Sequence, residues 1–112
     1  MKISTREIDD ATILAPKGKI SIGVGDVQLR EAIDEAVNRG VRNLLLDLNG
    51  VTRMDSSGMG ELIAGHKKLS KLGGNFKLVN MPPRLLNSLG ASQIVSVLDV
   101  FANEAEALES LR

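Results

Sequence analysis

The spacing of apolar residues along this chain changes several times, and each change marks an element. Residues 1–8 alternate weakly and read as an edge strand, and Asp9-Asp10 reads as a turn. Residues 12–15, Thr-Ile-Leu-Ala, open a second strand, which makes an N-terminal hairpin. Pro16 has no N–H for a ladder, which predicts an edge position or a bulge there. Residues 18–26 hold Gly18, Gly23 and Gly25 and read as a loop. Helical spacing then begins. Leu29, Ala32, Ile33, Ala36 and Val37 fall on one face of a helix that Asp26 can cap and Gly40 stops. Residues 43–48, Asn-Leu-Leu-Leu-Asp-Leu, form a short and nearly continuous apolar run, the pattern of a central strand buried on both faces.

Asn49-Gly50 ends that run. A second helix is predicted over 57–72, on Met59, Leu62, Ile63, His66 and Leu69, before Gly73-Gly74. A strand follows over 76–79. Pro82-Pro83 suits the first turn of a short helix, where a missing N–H costs nothing, with Leu85, Leu86 and Leu89 on its face and Gly90 as its stop. A last strand is predicted over 94–100. Asn103, with Glu106 three residues on, opens a final helix. After the hairpin, strands and helices alternate strictly. This predicts a single α/β domain over residues 1–112, with a mixed, mostly parallel sheet, an N-terminal hairpin strand and about four helices.

Composition narrows the function classes. The chain has no Cys, which excludes disulfides and thiolate metal sites, and a lone His makes other metal sites a poor fit. Lys and Arg number 14, as do Asp and Glu, so the net charge is zero. That balance argues against an electrostatic footprint for nucleic acid, and the two Phe, without Trp or Tyr, offer no stacking platform. The apolar runs are far shorter than the ~20 residues of a membrane span, and residues 1–7 lack an apolar signal segment. A cytoplasmic location without membrane insertion is the expectation.

Candidate chemistry concentrates in Asp55-Ser56-Ser57-Gly58-Met59-Gly60, between the most buried strand and the second helix, where sites form in open α/β sheets. One Ser at the helix N-cap is accounted for by its hydroxyl accepting a first-turn N–H. Two adjacent Ser exceed what a cap needs. Asp55 can bond the turn backbone or cap the helix itself, and Gly58 and Gly60 let another backbone approach closely. A phosphate on Ser56 would lie by the helix N-terminus, where N–H groups favour an anion, and would bring nearly two negative charges beside Asp55. A Ser hydrolase elbow, Gly-x-Ser-x-Gly, fails at both Ser, because Met54 and Asp55 stand two residues before them. His66 lies nine residues beyond Ser57, roughly 13 Å along the axis, too far to be its base. The glycines of residues 18–25 match neither a P-loop nor a dinucleotide fingerprint. No catalytic residue is expected.

Met-Asp-Ser-Ser-Gly-Met-Gly, the later Gly-Gly-Asn-Phe-Lys-Leu-Val-Asn and Pro-Pro-Arg-Leu-Leu together resemble the STAS domain, and within it the bacterial anti-sigma factor antagonists. The resemblance implies a protein that binds an anti-sigma factor with serine kinase activity and so releases a sigma factor. It implies phosphorylation of the Ser after the Asp, here Ser56, with Ser57 the second choice, and reversal by a serine phosphatase. It implies no cofactor, since the partner kinase would hold the ATP. Oligomeric state stays open. Many relatives carry Gly-Glu-Leu-Asp where this chain has Gly18-Lys19-Ile20-Ser21, so both acids near the switch are replaced, and Asp26 is a candidate to compensate. The expected partner surface is Asp55, Ser56, Ser57, Gly58, Met59, Gly60, Ser21 and Asp26. Ala64 joins it, one turn beyond Gly60 and beside the basic Lys67, Lys68 and Lys71. The alternative role is a STAS scaffold or accessory subunit, in a stress-signalling assembly or a lipid transporter, without a phospho-switch.

Overall fold

Leu44, Leu45 and Leu46 are fully buried because their strand has neighbours on both sides and helices over both faces. The computed structural model describes residues 1–85 and 97–112. These form strands β1 (Lys2–Ile8), β2 (Ala11–Ile20), β3 (Asn43–Asp47), β4 (Val51–Met54), β5 (Asn75–Val79) and β6 (Asp99–Phe101). Among the described residues the helices are α1 (Gly25–Asn38), α2 (Ser56–Lys71) and α3 (Glu104–Glu109), and residues 83–85 are also helical. The sheet runs β1-β2-β3-β5-β6, with β4 also paired to β2. β1 is antiparallel to β2, and the other pairs are parallel. The predicted α/β class, opening hairpin and mostly parallel sheet are all present.

Alternation along the strands splits the core. Leu14, Ile20, Leu44, Leu46, Phe76 and Leu78 pack with Leu29 and Ile33 of α1 and Leu62 and Leu69 of α2 on the first face. Ala11, Ile13, Leu45 and Val79 pack with Ala107 of α3 on the second. The helix stops at Gly40 and Gly73 fall where the sequence places them, each with positive φ. On α2 the buried row is Gly58, Leu62, Gly65 and Leu69, rotated from the predicted stripe, and Met59, Ile63 and His66 flank it half-buried. Gly65 brings α2 onto the sheet: a Cβ there would stand 3.2 Å from the Phe76 ring and 3.1 Å from Ile33 Cδ1.

Five expectations change. Pro16 is not on an edge. β2 is internal, and it passes from β3, which pairs with residues 12–14, to β4, which pairs with residues 18–20. Gly18 N–H donates to Gly50 O at 3.0 Å, so Pro16, two residues earlier, turns its nitrogen to the same side, opposite the β3–β4 turn. The irregularity sits at Gly18/Lys19 instead. Residues 18–20 are therefore strand rather than loop, and residues 51–54, read as connection, are β4. α1 starts at Gly25 with Val24 as N-cap, so Asp26 is inside the helix rather than its cap. In the last strand, Val97 is helical and pairing begins at Asp99, the first residue in register with β5. Residues 86–90 and 94–96 of the predicted short helix and strand lie outside the described residues.

Candidate functional site

The parallel pairs Lys19↔Arg53 and Ile20↔Met54 end two strands side by side, and a helix starts just beyond each. Asp55 N–H donates to Ile20 O at 3.3 Å and holds the two strand ends together. Both helix starts press on the backbone of residues 19–20. A Cβ on Gly25 would meet Lys19 O at 2.2 Å, and one on Gly58 would meet Ile20 O at 2.5 Å. Glycine at these two positions is what lets α1 and α2 begin so close to the same stretch of β2.

Asp55 is the N-cap of α2, with extended backbone. Its Oδ1 accepts N–H bonds from Ser57 at 3.0 Å and Gly58 at 3.1 Å, and the Ser57 hydroxyl at 2.6 Å. Its Oδ2 accepts Ile22 N–H at 2.9 Å, from the loop leading into α1. One carboxylate thus caps α2 and ties it to the β2–α1 loop. Bonds from the Ser57 hydroxyl, and then from the Ile22 and Gly58 amides, stabilise its charged form and lower its pKa from 3.8 to about 2. A lowered native pKa means that the unfolded chain binds the proton more readily. The carboxylate's contribution to stability is therefore full above its unfolded pKa and is lost as pH falls through about 2. Thermal melts between pH ~4 and ~2 should show this loss, and Asp55→Asn should flatten that part of the profile while lowering Tm at neutral pH.

The profile of the STAS domain matches residues 2–107. This chain belongs to the STAS domain family. It is 29% identical over 84 residues to the anti-sigma F factor antagonist of Paenibacillus polymyxa, covering 74% of this chain and 72% of that one. The crystal structure of the Thermotoga maritima protein TM1081 superposes with a TM-score of 0.86 at 25% identity, over 96% of this chain and 92% of that one. The Bacillus anti-sigma factor antagonist SpoIIAA shares the fold in its unphosphorylated form, with a TM-score of 0.74 at 21% identity over 99% and 98% of the two chains. Its phosphorylated form gives 0.72 at 20%, over 99% and 100%.

The STAS fold gathers most of the residues expected at the site. Ser56 is exposed at the first position of α2, and its hydroxyl has no partner among the described residues. Neither Ser is the cap: Ser57 is half-buried and bound to Asp55. Gly58 is buried, so its close approach is to its own β2 and not to another chain, whereas Gly60 faces open space. Ser21 and Asp26 are joined by Asp26 N–H donating to Ser21 O at 3.1 Å. The Asp26 carboxylate accepts Gly23 and Val27 N–H at 3.0 and 2.8 Å, which shapes the loop. Ala64 is exposed two turns along α2, on a shallow groove shared with Arg30, Asp34 and Lys68 of the two helices. The Lys68–Asp34 pair neutralises part of the basic group read from the sequence.

Two residues of the STAS surface were not anticipated. Ile22 is 78% exposed and Val24 64%, on the loop that Asp55 anchors. Their signal was available in the sequence: two β-branched residues in a glycine-rich loop that neither adjoining element can bury.

Proposed function

We propose that this STAS domain is an anti-sigma factor antagonist that binds an anti-sigma factor with serine kinase activity through the α2 start and the β2–α1 loop, and is switched off by phosphorylation of Ser56. The names of its relatives support the class. The observation that carries the switch is the contrast between two adjacent hydroxyls. Ser57 donates to Asp55 at 2.6 Å, whereas Ser56 is exposed and unpartnered among the described residues.

A phosphate on Ser56 would meet the N–H end of α2, where an anion is favoured. It would also stand beside the Asp55 carboxylate, ionised at neutral pH because its pKa is about 2. The domain therefore tolerates the modification, while a partner covering Ile22 and Val24 would have to desolvate a dianion. The kinase brings the ATP, and a serine phosphatase restores the hydroxyl. Lys19 and Ser21 give this surface a different charge from relatives with acids there, so the cognate partner should carry a matching change.

Incubation with the cognate anti-sigma factor kinase and ATP, followed by mass mapping, tests the assignment. The expected phosphate is on Ser56, with none after Ser56→Ala. Phosphate on Ser57 alone, or on no Ser, would overturn it.

A further inference from the structure

The second face of the sheet carries four cations in register. Lys2 pairs directly across from Lys17, and Lys19 pairs directly across from Arg53. Lys17 and Lys19 are two apart on one strand and share a side. That side is the α3 side, because Ile13 of the same parity packs against Ala107, whereas Ile20 faces α1 and α2. All four are exposed, and none forms an ion pair among the described residues.

Like charges directly opposite one another on a sheet destabilise it. The chain as a whole is neutral, so their gathering is not a by-product of composition. Edge lysines guard a sheet against pairing with other chains, and this accounts for Lys2 on β1. It does not account for Lys17, which has β1 on one side and the β3–β4 turn on the other.

The same face shows what satisfies such cations. Arg6, on the same side of β1 as Lys2, pairs with Glu104 at the start of α3. Lys77 of β5 pairs with Asp99 at 3.3 Å. Acidic residues of the C-terminal segment thus neutralise the cations at one end of the face. At the other end, Ser4 and Ala15, the next cross-strand pair on this side, form a small-residue floor beside Lys2 and Lys17, and the Lys17 stem lies along Gly50, with its Cγ 2.8 Å from where a Gly50 Cβ would be. Asp47, one step past the last β2–β3 pair, turns its Oδ1 to Asn49 N–H and Asn80 Nδ2 instead.

We infer that the open end of this face, formed by Lys2, Lys17, Lys19 and Arg53, docks an acidic polypeptide segment of a partner, much as α3 docks at the other end. The exposed apolar residues Ile22, Val24, Leu72 and Val97 lie outside the patch, so it carries no wedge for a lipid surface. It has no aromatic ring for nucleic-acid bases either. The surface lies across the sheet from α1 and α2. Lys19 and Arg53 stand at the strand ends that lead into the β2–α1 loop and α2, so the patch adjoins the Ser56 surface from the other side of the sheet.

The test is an NMR titration of the full chain with an oligo-glutamate peptide at low salt and at ~0.15 M salt. Amide shifts at Lys2, Ser4, Ala15, Lys17, Lys19 and Arg53, weakened by salt, are the expected result. The double variant Lys17→Glu/Lys19→Glu should weaken peptide binding about tenfold or more while Tm holds or rises, because a Glu opposite Lys2 relieves repulsion. Lys17→Arg/Lys19→Arg should retain binding. The absence of shifts on this face overturns the inference. So does binding of duplex DNA or phosphatidylserine vesicles there in place of the peptide, or a loss of binding that only follows a loss of fold.

Discussion

Gly58→Ala should lower stability by about 2–3 kcal/mol, whereas Gly60→Ala, two residues along the same helix, should raise it by up to about 1 kcal/mol. The difference lies in what each new methyl meets. At Gly58 it would sit 2.5 Å from Ile20 O and 2.8 Å from Met54 Cγ, so α2 must move off β2. At Gly60 nothing lies within 4 Å, and only the helix-propensity gain remains. Gly25→Ala should cost about 3 kcal/mol, because the new methyl would meet backbone, the Lys19 carbonyl at 2.2 Å and Ile20 Cα at 2.9 Å. Thermal or urea unfolding of the three variants reads the contrast, with the first and third falling by roughly 10 °C. Equal effects at Gly58 and Gly60 would mean that α2 does not rest on β2 as described.

Ser56→Asp should weaken binding of the anti-sigma factor about 100-fold, roughly 3 kcal/mol, with the fold left intact. An acid at the first position of a helix complements its dipole, so Tm should hold or rise slightly. In a complex the same carboxylate would be forced out of water beside ionised Asp55 and the apolar side chains of Ile22 and Val24. Ser56→Ala should bind as the unmodified protein does, because that hydroxyl has no bond to lose. Titration calorimetry against the cognate partner, with circular dichroism as the fold control, separates the two effects. Unchanged affinity in Ser56→Asp would rule out a charge switch at this position.

The helices, their glycine stops and the central strand were legible because their patterns are local. β4 was not. An irregularity in its pairing with β2 sets Thr52 between the pairs Gly18↔Val51 and Lys19↔Arg53, and its buried residues, Val51 and Met54, stand three apart instead of two. That spacing does not read as a strand without β2 beside it. The start of α2 was located within a residue, but the cap stayed open between a Ser and Asp55. Ser and Asp cap about equally well by local rules. What selects Asp55 is its second oxygen, bonded to the Ile22 amide from a loop 33 residues earlier. Burial on α2 shifted for a similar reason: Gly58 and Gly65 contribute no apolar side chain to a periodicity count, yet they line the buried face. Asp55-Ser56-Ser57 alone was enough to propose the turn as a partner surface. Its apolar part, Ile22 and Val24, emerged only once the loop was placed beside it.

The fork in β2 divides the molecule into regions of unequal cooperativity. The stretch of residues 12–14 lies between β1 and β3, inside the sheet, whereas residues 18–20 are held on that same edge only by the short β4. A fluctuation that peels β4 away frees the Asp55 clasp and both helix starts, yet it leaves the β1–β2–β3–β5 ladder closed. Opening of this edge is thus a sub-global event with its own free energy, below that of global unfolding. The lower protection against hydrogen exchange belongs to the end of the domain proposed to bind a partner, and the higher protection to the end that keeps the chain folded.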